Sequence, residues 1–279
     1  MSVEARIAAA RGFILDMDGT IALGDRASGA HVALPGAIEL LARLRRRGLP
    51  FRIFTNGTAK PPAVYAAGLR AAGFDVADEE MMTPSTSAAA WLTAQRIGRV
   101  RVLGNKGTAA PLVEAGIEVI GPSVAANGIE AVYTGWHREL AFTDLEAAVH
   151  DIWAGARAVT ASHVPFFATS DGKGIGTSFA INSMIRALTG RRPKVLGKPS
   201  RDGFFAALAS MGLARSAAPD IVVVGDDPAL EMRMANQVGA VSIGVATGLN
   251  SLDTLQALPA RDRPQLALDS VEAILALVD

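Results

Sequence analysis

Short apolar runs recur along the whole chain, and most of them end in glycine or a polar residue. Runs such as Phe13-Ile14-Leu15 and Ile221-Val222-Val223-Val224 are apolar at every position. Continuous runs of this kind are typical of parallel strands that are buried on both faces. The sequence predicts such strands at Phe13–Leu15, Phe51–Phe54, Val100–Leu103, Ile117–Ile120, Ala131–Thr134, Ala158–Ala161, Ile221–Val224 and Val241–Val245.

Between these strands, apolar residues recur at helical spacing. After Pro35-Gly36, residues Ile38, Leu41 and Leu44 share one face of a predicted helix, and Gly48 ends it. Further helices are predicted at Val64–Ala72, Thr108–Ala115, Thr143–Ala154, Ser178–Thr189, Asp202–Met211 and Ala229–Val238. The alternation of strands and helices predicts an α/β fold with a doubly wound, Rossmann-like parallel sheet.

The length and the order of the elements indicate a domain that carries an insertion. A chain of 279 residues is long enough for one large domain or for a domain with a sizeable insert. The outer strands share one sheet only if the middle of the chain is inserted into it. We therefore predict a core domain at 1–83 and 194–279, and an α/β cap domain at 84–193.

Composition narrows the function classes. The 27 basic and 27 acidic side chains give no net charge, so nothing favours nucleic acid as a partner. The chain has no cysteine, which excludes disulfides, thiolate nucleophiles and cysteine-ligated metals. The segment Met1–Arg11 has no apolar stretch of signal-peptide length, and no segment of the chain approaches the roughly 18 uninterrupted apolar residues of a membrane span. We expect a cytoplasmic protein without a membrane partner.

Carboxylates follow two of the predicted strands. Asp16 and Asp18 end the first strand, and Asp226 follows the Ile221 strand. Because parallel strands bring their carboxyl ends to one edge of a sheet, these side chains are expected to lie together. One carboxylate can attack phosphorus while the other protonates the departing oxygen. A carboxylate of Asp16, the Asp18 carbonyl and Asp226 form a sparse oxygen set that suits Mg²⁺.

Positive charge and phosphate-binding groups are also needed, because an attacking carboxylate and a phosphate dianion repel each other. Lys198, in Gly197-Lys198-Pro199, is the natural ammonium group. Thr55-Asn56-Gly57 follows the second predicted strand of the core. By themselves, these segments are ordinary turn and loop sequences. Their order and spacing together indicate phosphoryl chemistry.

In that order, the motifs resemble the haloacid dehalogenase-like (HAD) hydrolase superfamily over the full chain. Asp16-Met17-Asp18-Gly19-Thr20 is similar to its first motif, Thr55-Asn56-Gly57 to its second, Lys198 to its third, and Gly225-Asp226-Asp227 with Glu231 to its fourth. The large insertion between the second and third motifs resembles the NagD-like and p-nitrophenyl phosphatase branch. The resemblance therefore implies a phosphatase with an α/β cap.

The same resemblance implies a role for each motif residue. Asp16 would be the nucleophile that becomes an aspartyl-phosphate, and Asp18 the general acid and then the base. Mg²⁺ would be held by Asp16, Asp18 and Asp226, and its water shell would be shaped by Asp227 or Glu231. The phosphoryl oxygens would be bound by Thr55, Asn56, Gly57 and Lys198. The substrate would be a small-molecule phosphate ester.

The insertion departs from the relatives that it resembles. Where they often carry an aspartate after a cap strand, this chain reads Gly135-Trp136-His137-Arg138. The side chains that are candidates for contact with a leaving group are Trp136, His137, Arg138, His163, Phe166, Phe167 and Lys173. Core packing or a dimer contact is the commoner role for the phenylalanines. The exposed cap strands are also a candidate surface for a homo-oligomer.

Three other functions are compatible with these residues. A phosphotransferase or phosphomutase would use the same nucleophile, but the small helical cap of such enzymes needs more room than Ile21–Leu34 offers. A receiver-like switch would also use a phosphorylatable aspartate, although an acid at Asp18 and a cap do not suit a slow switch. A binding protein without turnover would not need the intact set of motif residues.

Overall fold

The computed structural model describes residues 1–24, 31–169, 172–248 and 250–278. Its strands are β1 (Gly12–Leu15), β2 (Ala22–Gly24), β3 (His31–Ala33), β4 (Phe51–Phe54), β5 (Met81–Met82), β6 (Arg99–Leu103), β7 (Glu118–Ile120), β8 (Ala131–Thr134), β9 (Arg157–Thr160), β10 (Phe166–Thr169), β11 (Gly172–Ile175), β12 (Lys194–Val195), β13 (Ile221–Gly225), β14 (Val241–Val245) and β15 (Leu266–Leu268).

The helices alternate with these strands. They are α1 (Val3–Ala8), α2 (Ala37–Arg46), α3 (Pro62–Ala71), α4 (Pro84–Ala94), α5 (Lys106–Glu114), α6 (Phe142–Trp153), α7 (Thr177–Thr189), α8 (Arg201–Ser210), α9 (Arg233–Asn236) and α10 (Leu252–Ala257). Short 3₁₀ segments lie at Asp78–Glu80, Arg215–Asp220 and Val271–Leu277, and Pro228–Met232 is a π-helical turn. No helix in the described ranges is long and apolar enough to cross a membrane.

The chain divides into two compact units. The first unit comprises residues 1–55, 63–82 and 204–279, and the second unit comprises residues 56–62 and 83–203. The boundaries drawn from the sequence, 1–83 with 194–279 and 84–193, stay a prediction.

The first unit is built on a six-stranded parallel sheet in the order β15-β14-β13-β1-β4-β5. Strand β1 lies inside the sheet, because Leu15 pairs with Val224 of β13 and with Ile53 of β4. Phe13 and Leu15 belong to one hydrophobic cluster, while Ile14 between them belongs to another. Both faces of β1 are therefore covered, which explains its unbroken apolar sequence.

The second unit has its own parallel sheet of five strands in the order β12-β9-β8-β6-β7. Its two faces are filled by separate apolar clusters, one around Val100 and Tyr133 and one around Leu103 and Val132. An antiparallel hairpin of β10 and β11 pairs Phe166 with Ile175. Parallel sheets with helices between the strands confirm the predicted α/β fold class.

The Ile21–Leu34 stretch contains an antiparallel strand pair instead of a helical cap in its described part. Strands β2 and β3 pair Ala22 with Ala33 and Gly24 with His31. Residues 25–30 of this stretch lie outside the described residues. The Leu34 N–H also donates to the Ile21 carbonyl at 2.9 Å, which closes the base of the pair.

Candidate active site

Asp16 directly follows the central strand β1 of the first unit. Its backbone N–H donates to the Val224 carbonyl at 2.9 Å, which continues the pairing of β1 with β13 by one residue. The Thr20 hydroxyl donates to Oδ2 of Asp16 at 3.0 Å, and only 7% of Asp16 is exposed. Asp18, two residues later, is exposed. The two predicted carboxylates therefore differ sharply in their access to solvent.

Gly19, next to Asp18, permits the close approach of Asp226. Its φ is +83°, a left-handed conformation that favours glycine. A Cβ atom at Gly19 would lie 2.5 Å from Oδ2 of Asp226, so any side chain here would displace that carboxylate. Asp226 follows β13, the neighbour of β1. The fold of the first unit thus places Asp226 against the turn that carries Asp18.

These groups fit a hard divalent cation. Within the described ranges, no group of three or more histidine, cysteine, aspartate or glutamate side chains is arranged to hold a metal. The predicted set needs only two carboxylates, from Asp16 and Asp226, with the backbone carbonyl of Asp18. Mg²⁺ accepts such a sparse set of oxygens because it keeps several of its waters. Asp226 can approach the turn that carries Asp18 because Gly19 has no side chain.

Thr55 follows β4, the other neighbour of β1. It is buried, and its backbone N–H donates to the Met82 carbonyl at 3.2 Å. Its position at the carboxyl end of β4 is the same edge of the sheet at which Asp16 and Asp226 follow β1 and β13. Three of the predicted motif residues are therefore brought to one edge of the first unit.

Within the second unit, Asn56 and Lys198 are bound to each other through two hydrogen bonds. The Lys198 N–H donates to Oδ1 of Asn56 at 2.8 Å, and Nδ2 of Asn56 donates to the Lys198 carbonyl at 3.1 Å. A side chain at Gly197 would meet the Ala161 carbonyl and the Asn56 amide, so the backbone there is tightly enclosed. Lys198 is 1% exposed. Two predicted motifs that are far apart in sequence therefore form one buried, hydrogen-bonded cluster.

Asp227 and Glu231 play different structural roles around Asp226. Asp227 caps the π-helical turn by accepting from the Ala229 N–H at 2.8 Å. Glu231 is 1% exposed, and its Oε2 accepts from the Asp227 N–H at 3.1 Å. Its side chain also packs against Gly225, where a Cβ atom would collide with it. Glu231 thus fixes the backbone that carries Asp226, while Asp227 is a helix cap.

A segment that the sequence analysis did not select also borders the site. Thr247 donates its hydroxyl to the Gly19 carbonyl at 2.5 Å, and Nδ2 of Asn250 donates to the Asp226 carbonyl at 3.2 Å. Gly248 lies directly against the Asp226 carboxylate. A signal was present, since Ala246-Thr247-Gly248 follows the apolar strand β14 just as the predicted motifs follow theirs.

In the second unit, Trp136, His137 and Arg138 follow β8. The Trp136 N–H donates to Oγ1 of Thr58 at 3.0 Å, and the Arg138 guanidinium lies 6.0 Å from the Trp136 ring centre. His137 is largely buried, with Nε2 3.1 Å from Oδ2 of Asp144. His137 is therefore engaged in a local pair at the start of α6.

The aromatic candidates of the β10–β11 hairpin are exposed. Phe166 is 53% exposed and Phe167 is 38% exposed, so the core-packing role expected for them does not hold within the second unit. Phe167 lies 5.9 Å from the Trp136 ring, and the Lys173 ammonium lies 5.6 Å from the Phe166 ring. Whether these side chains contact a substrate stays a prediction.

His163 contacts two residues of helix α7. Its ring is 6.0 Å from that of Phe179, and its Nδ1 is 3.3 Å from Nδ2 of Asn182. Burial lowers the pKa of His163, and the nearby Arg192 and Arg186 lower this pKa further. The imidazole is therefore biased towards its neutral form.

Comparisons with known proteins identify the family of the chain. The sequence model of the haloacid dehalogenase-like hydrolase family matches residues 13–118, and a second, HAD-hydrolase-like model matches residues 195–274. A D-glycerol 3-phosphate phosphatase of Mycobacterium tuberculosis is 30% identical over 256 residues, which are 89% of this chain and 66% of that longer protein.

Solved structures of the same branch superpose on the fold. NagD from Escherichia coli K-12 has a TM-score of 0.81 at 26% identity, covering 94% of this chain and 97% of NagD. A glycerol phosphate phosphatase from M. tuberculosis, solved with magnesium, has a TM-score of 0.81 at 27% identity over 98% of this chain and 78% of its own. A p-nitrophenyl phosphatase from Archaeoglobus fulgidus has a TM-score of 0.84 at 24% identity over 96% of this chain and 99% of its own, a likeness of fold.

These matches confirm the resemblance on which the motif assignments rest. The matched ranges contain the first, second, third and fourth motifs, and NagD and the p-nitrophenyl phosphatase are the relatives that the insertion predicts. The chain belongs to the haloacid dehalogenase-like hydrolase family, and within it is a phosphatase, a hydrolase of small phosphoric monoesters.

Proposed function

We propose that this phosphatase is Mg²⁺-dependent and hydrolyses its substrate through an aspartyl-phosphate on Asp16, with Asp18 as the general acid and base. The observation that carries the proposal is the arrangement of two carboxylates, Asp16 and Asp18, at the end of β1. A buried carboxylate, held by Thr20, is followed two residues later by an exposed one, and Asp226 lies against the glycine that follows.

The first step forms a bond between a carboxylate oxygen of Asp16 and phosphorus. Burial and the Thr20 hydrogen bond limit the rotation of the Asp16 side chain. The carboxylate therefore loses little further rotational freedom when it attacks phosphorus. The bond from phosphorus to the ester oxygen breaks as the new bond forms. The product of this step is an acyl phosphate on Asp16 and an alcohol.

Asp18 moves the proton in both steps. Its protonated carboxyl gives a proton to the departing ester oxygen, and the resulting carboxylate takes a proton from the attacking water. That water forms a bond to phosphorus, and the bond from phosphorus to Asp16 breaks, so Asp16 is regenerated and inorganic phosphate is released. An exposed side chain suits this role because it must reach both the leaving group and water.

Groups that bind the phosphoryl oxygens are proposed from Thr55, Asn56, Gly57 and Lys198. The buried ammonium of Lys198 offsets the negative charge that a carboxylate and a phosphate bring together. Asn56 holds the backbone of Lys198 by two hydrogen bonds, which limits how far the ammonium can move. A preorganised charge of this kind stabilises the transition state without further rearrangement.

Mg²⁺ would be held by the Asp16 and Asp226 carboxylates and the Asp18 carbonyl. When bound, it would supply positive charge beside the phosphoryl group. The magnesium in the M. tuberculosis glycerol phosphate phosphatase supports this choice of ion. Glu231, which holds the Asp227 backbone N–H, would keep the Asp226 segment in place.

The test of the proposed function is phosphate release from a panel of phosphomonoesters, with chelator and then with Mg²⁺ restored. The panel includes glycerol phosphate, sugar phosphates, p-nitrophenyl phosphate, pyridoxal phosphate, phosphoglycolate and nucleotides. We expect turnover that the chelator removes and Mg²⁺ restores. Undiminished turnover in excess chelator would contradict the metal dependence.

A change at Asp18 is expected to separate the two chemical steps. The Asp18→Asn variant has no proton donor for the alcohol that leaves an alkyl phosphate. The rate of phosphoryl transfer from an alkyl phosphate is therefore expected to fall by roughly 10²–10⁴-fold. p-Nitrophenolate leaves without a proton, so this substrate gives one burst equal to the enzyme concentration, followed by slow turnover. Stopped-flow absorbance measures the burst. Equal steady-state rates for Asp18→Asn and the wild type on both substrates would refute the role of Asp18.

A further inference from the structure

The segment Thr247–Asn250, of which Leu249 lies outside the described residues, contacts both acidic turns of the first unit. Thr247 donates to the carbonyl of Gly19, and Asn250 donates to the carbonyl of Asp226. One short segment after β14 is therefore hydrogen bonded to the turn after β1 and to the turn after β13. Neither contact is part of the proposed reaction.

The Thr247 bond completes the fixation of Gly19. The Gly19 N–H donates to the Ala22 carbonyl at 2.9 Å, which orients the peptide between Asp18 and Gly19. The Gly19 carbonyl accepts from Thr247, which orients the next peptide, between Gly19 and Thr20. Because Gly19 has a left-handed φ of +83° and more freedom than other residues, both peptides need an external partner to stay in place.

Gly248 also limits the position of the Asp226 carboxylate. A Cβ atom at Gly248 would collide with Oδ2 and Cγ of Asp226, and a Cβ atom at Gly19 would also meet this Oδ2. The carboxylate therefore lies close to two residues without side chains, and the backbone of both segments limits its rotation.

We infer that Thr247 and Gly248 are positioning residues, which set the Asp18 carbonyl and the Asp226 carboxylate at the separation that a divalent cation needs. The inference rests on the proposed function, because it takes these two groups as the metal ligands. Groups that orient metal ligands change metal affinity when they are altered, although they touch no metal. Thr247 would act through Gly19, and Gly248 through the Asp226 carboxylate.

The test is Mg²⁺ binding by isothermal titration calorimetry, with kcat and KM, for Thr247→Val, Thr247→Ser and Gly248→Ala. Valine keeps the shape of threonine but cannot donate, so we expect Mg²⁺ affinity and kcat to fall by about 10-fold while KM for the ester stays unchanged. Serine keeps the donor and restores both. Gly248→Ala displaces Asp226 and lowers Mg²⁺ affinity although every ligand is retained.

The matched control is Ser242→Ala. Ser242 lies on β14, the strand that precedes Thr247, is fully buried, and donates its hydroxyl to Oδ1 of Asn236 at 2.9 Å. Its loss is expected to lower the melting temperature but leave Mg²⁺ affinity and kcat unchanged.

Wild-type affinity and kcat in Thr247→Val, with only a lower melting temperature, would overturn the inference. A wild-type protein that binds no Mg²⁺ would instead overturn the proposed function. If Gly248→Ala does not fold, Thr247→Val and its rescue by serine decide the matter.

Discussion

Replacing Asp16 by asparagine removes turnover on every substrate, by roughly four orders of magnitude or more. The amide is nearly the same size as the carboxylate but cannot attack phosphorus, so neither step proceeds. The fold is expected to survive, because the Thr20 hydroxyl can still donate to the amide oxygen of the new side chain. Phosphate release measures the loss, and the melting temperature measured without Mg²⁺ is expected to be no lower than that of the wild type.

The control for this variant is Asp220→Asn, which removes a carboxylate at the opposite end of the neighbouring strand β13. Asp220 is exposed and lies 4.0 Å from Arg11 in a weak surface pair, so its loss is expected to leave turnover unchanged. Substantial turnover in well-folded Asp16→Asn, with the same dependence on Mg²⁺ as the wild type, would show that water attacks the substrate directly.

Replacing Lys198 by methionine lowers kcat/KM by roughly 10²–10³-fold. Methionine fills similar space but brings no positive charge to the phosphoryl group. The melting temperature is expected to rise or to stay unchanged, because a buried ammonium carries a desolvation cost that the thioether lacks. Steady-state kinetics and thermal unfolding of the same preparation measure the two effects.

Lys194→Met is the matched control for Lys198→Met. Lys194 is four residues upstream, is exposed, and forms a surface ion pair with Asp202 at 2.7 Å. We expect near wild-type kcat/KM for this variant. A loss of activity in Lys198→Met that follows a loss of stability, or an equal loss in Lys194→Met, would contradict a specific role for the Lys198 charge.

The strands that are buried on both faces could be predicted from the sequence. The residues of β1 and β13 are apolar throughout because each strand is covered on both sides, and this pattern is readable without a structure. The resulting edge position of Asp16, Thr55 and Asp226 followed from parallel pairing alone. Short elements escaped prediction, among them β5, β12 and β15, because two or three residues carry no periodicity.

Other features depended on long-range contacts. The helix predicted over Ala229–Val238 starts instead as a π-helical turn at Pro228–Met232, followed by the short α9. Glu231 bonds back to the Asp227 N–H within this turn and packs on Gly225, a contact that no local propensity encodes. Helix α4 was not predicted because its alanine-rich sequence shows little amphipathic pattern.

The functional groups that the sequence did not indicate act through their backbone partners. Thr247, Gly248 and Asn250 form a common turn sequence, and only the folded sheet shows that they meet Gly19 and Asp226. The reciprocal bonds between Asn56 and Lys198 join residues that are 142 positions apart, so spacing alone could not pair them.

The covalent intermediate is the central claim of this account, and the stereochemical course at phosphorus tests it most directly. The wild-type enzyme is given a phosphomonoester that is made chiral at phosphorus with oxygen isotopes, and the phosphoryl group is recovered by transfer to a second alcohol. Two successive in-line displacements, first by Asp16 and then by the acceptor, predict net retention of configuration. Net inversion would show a single displacement and would contradict an aspartyl-phosphate on Asp16.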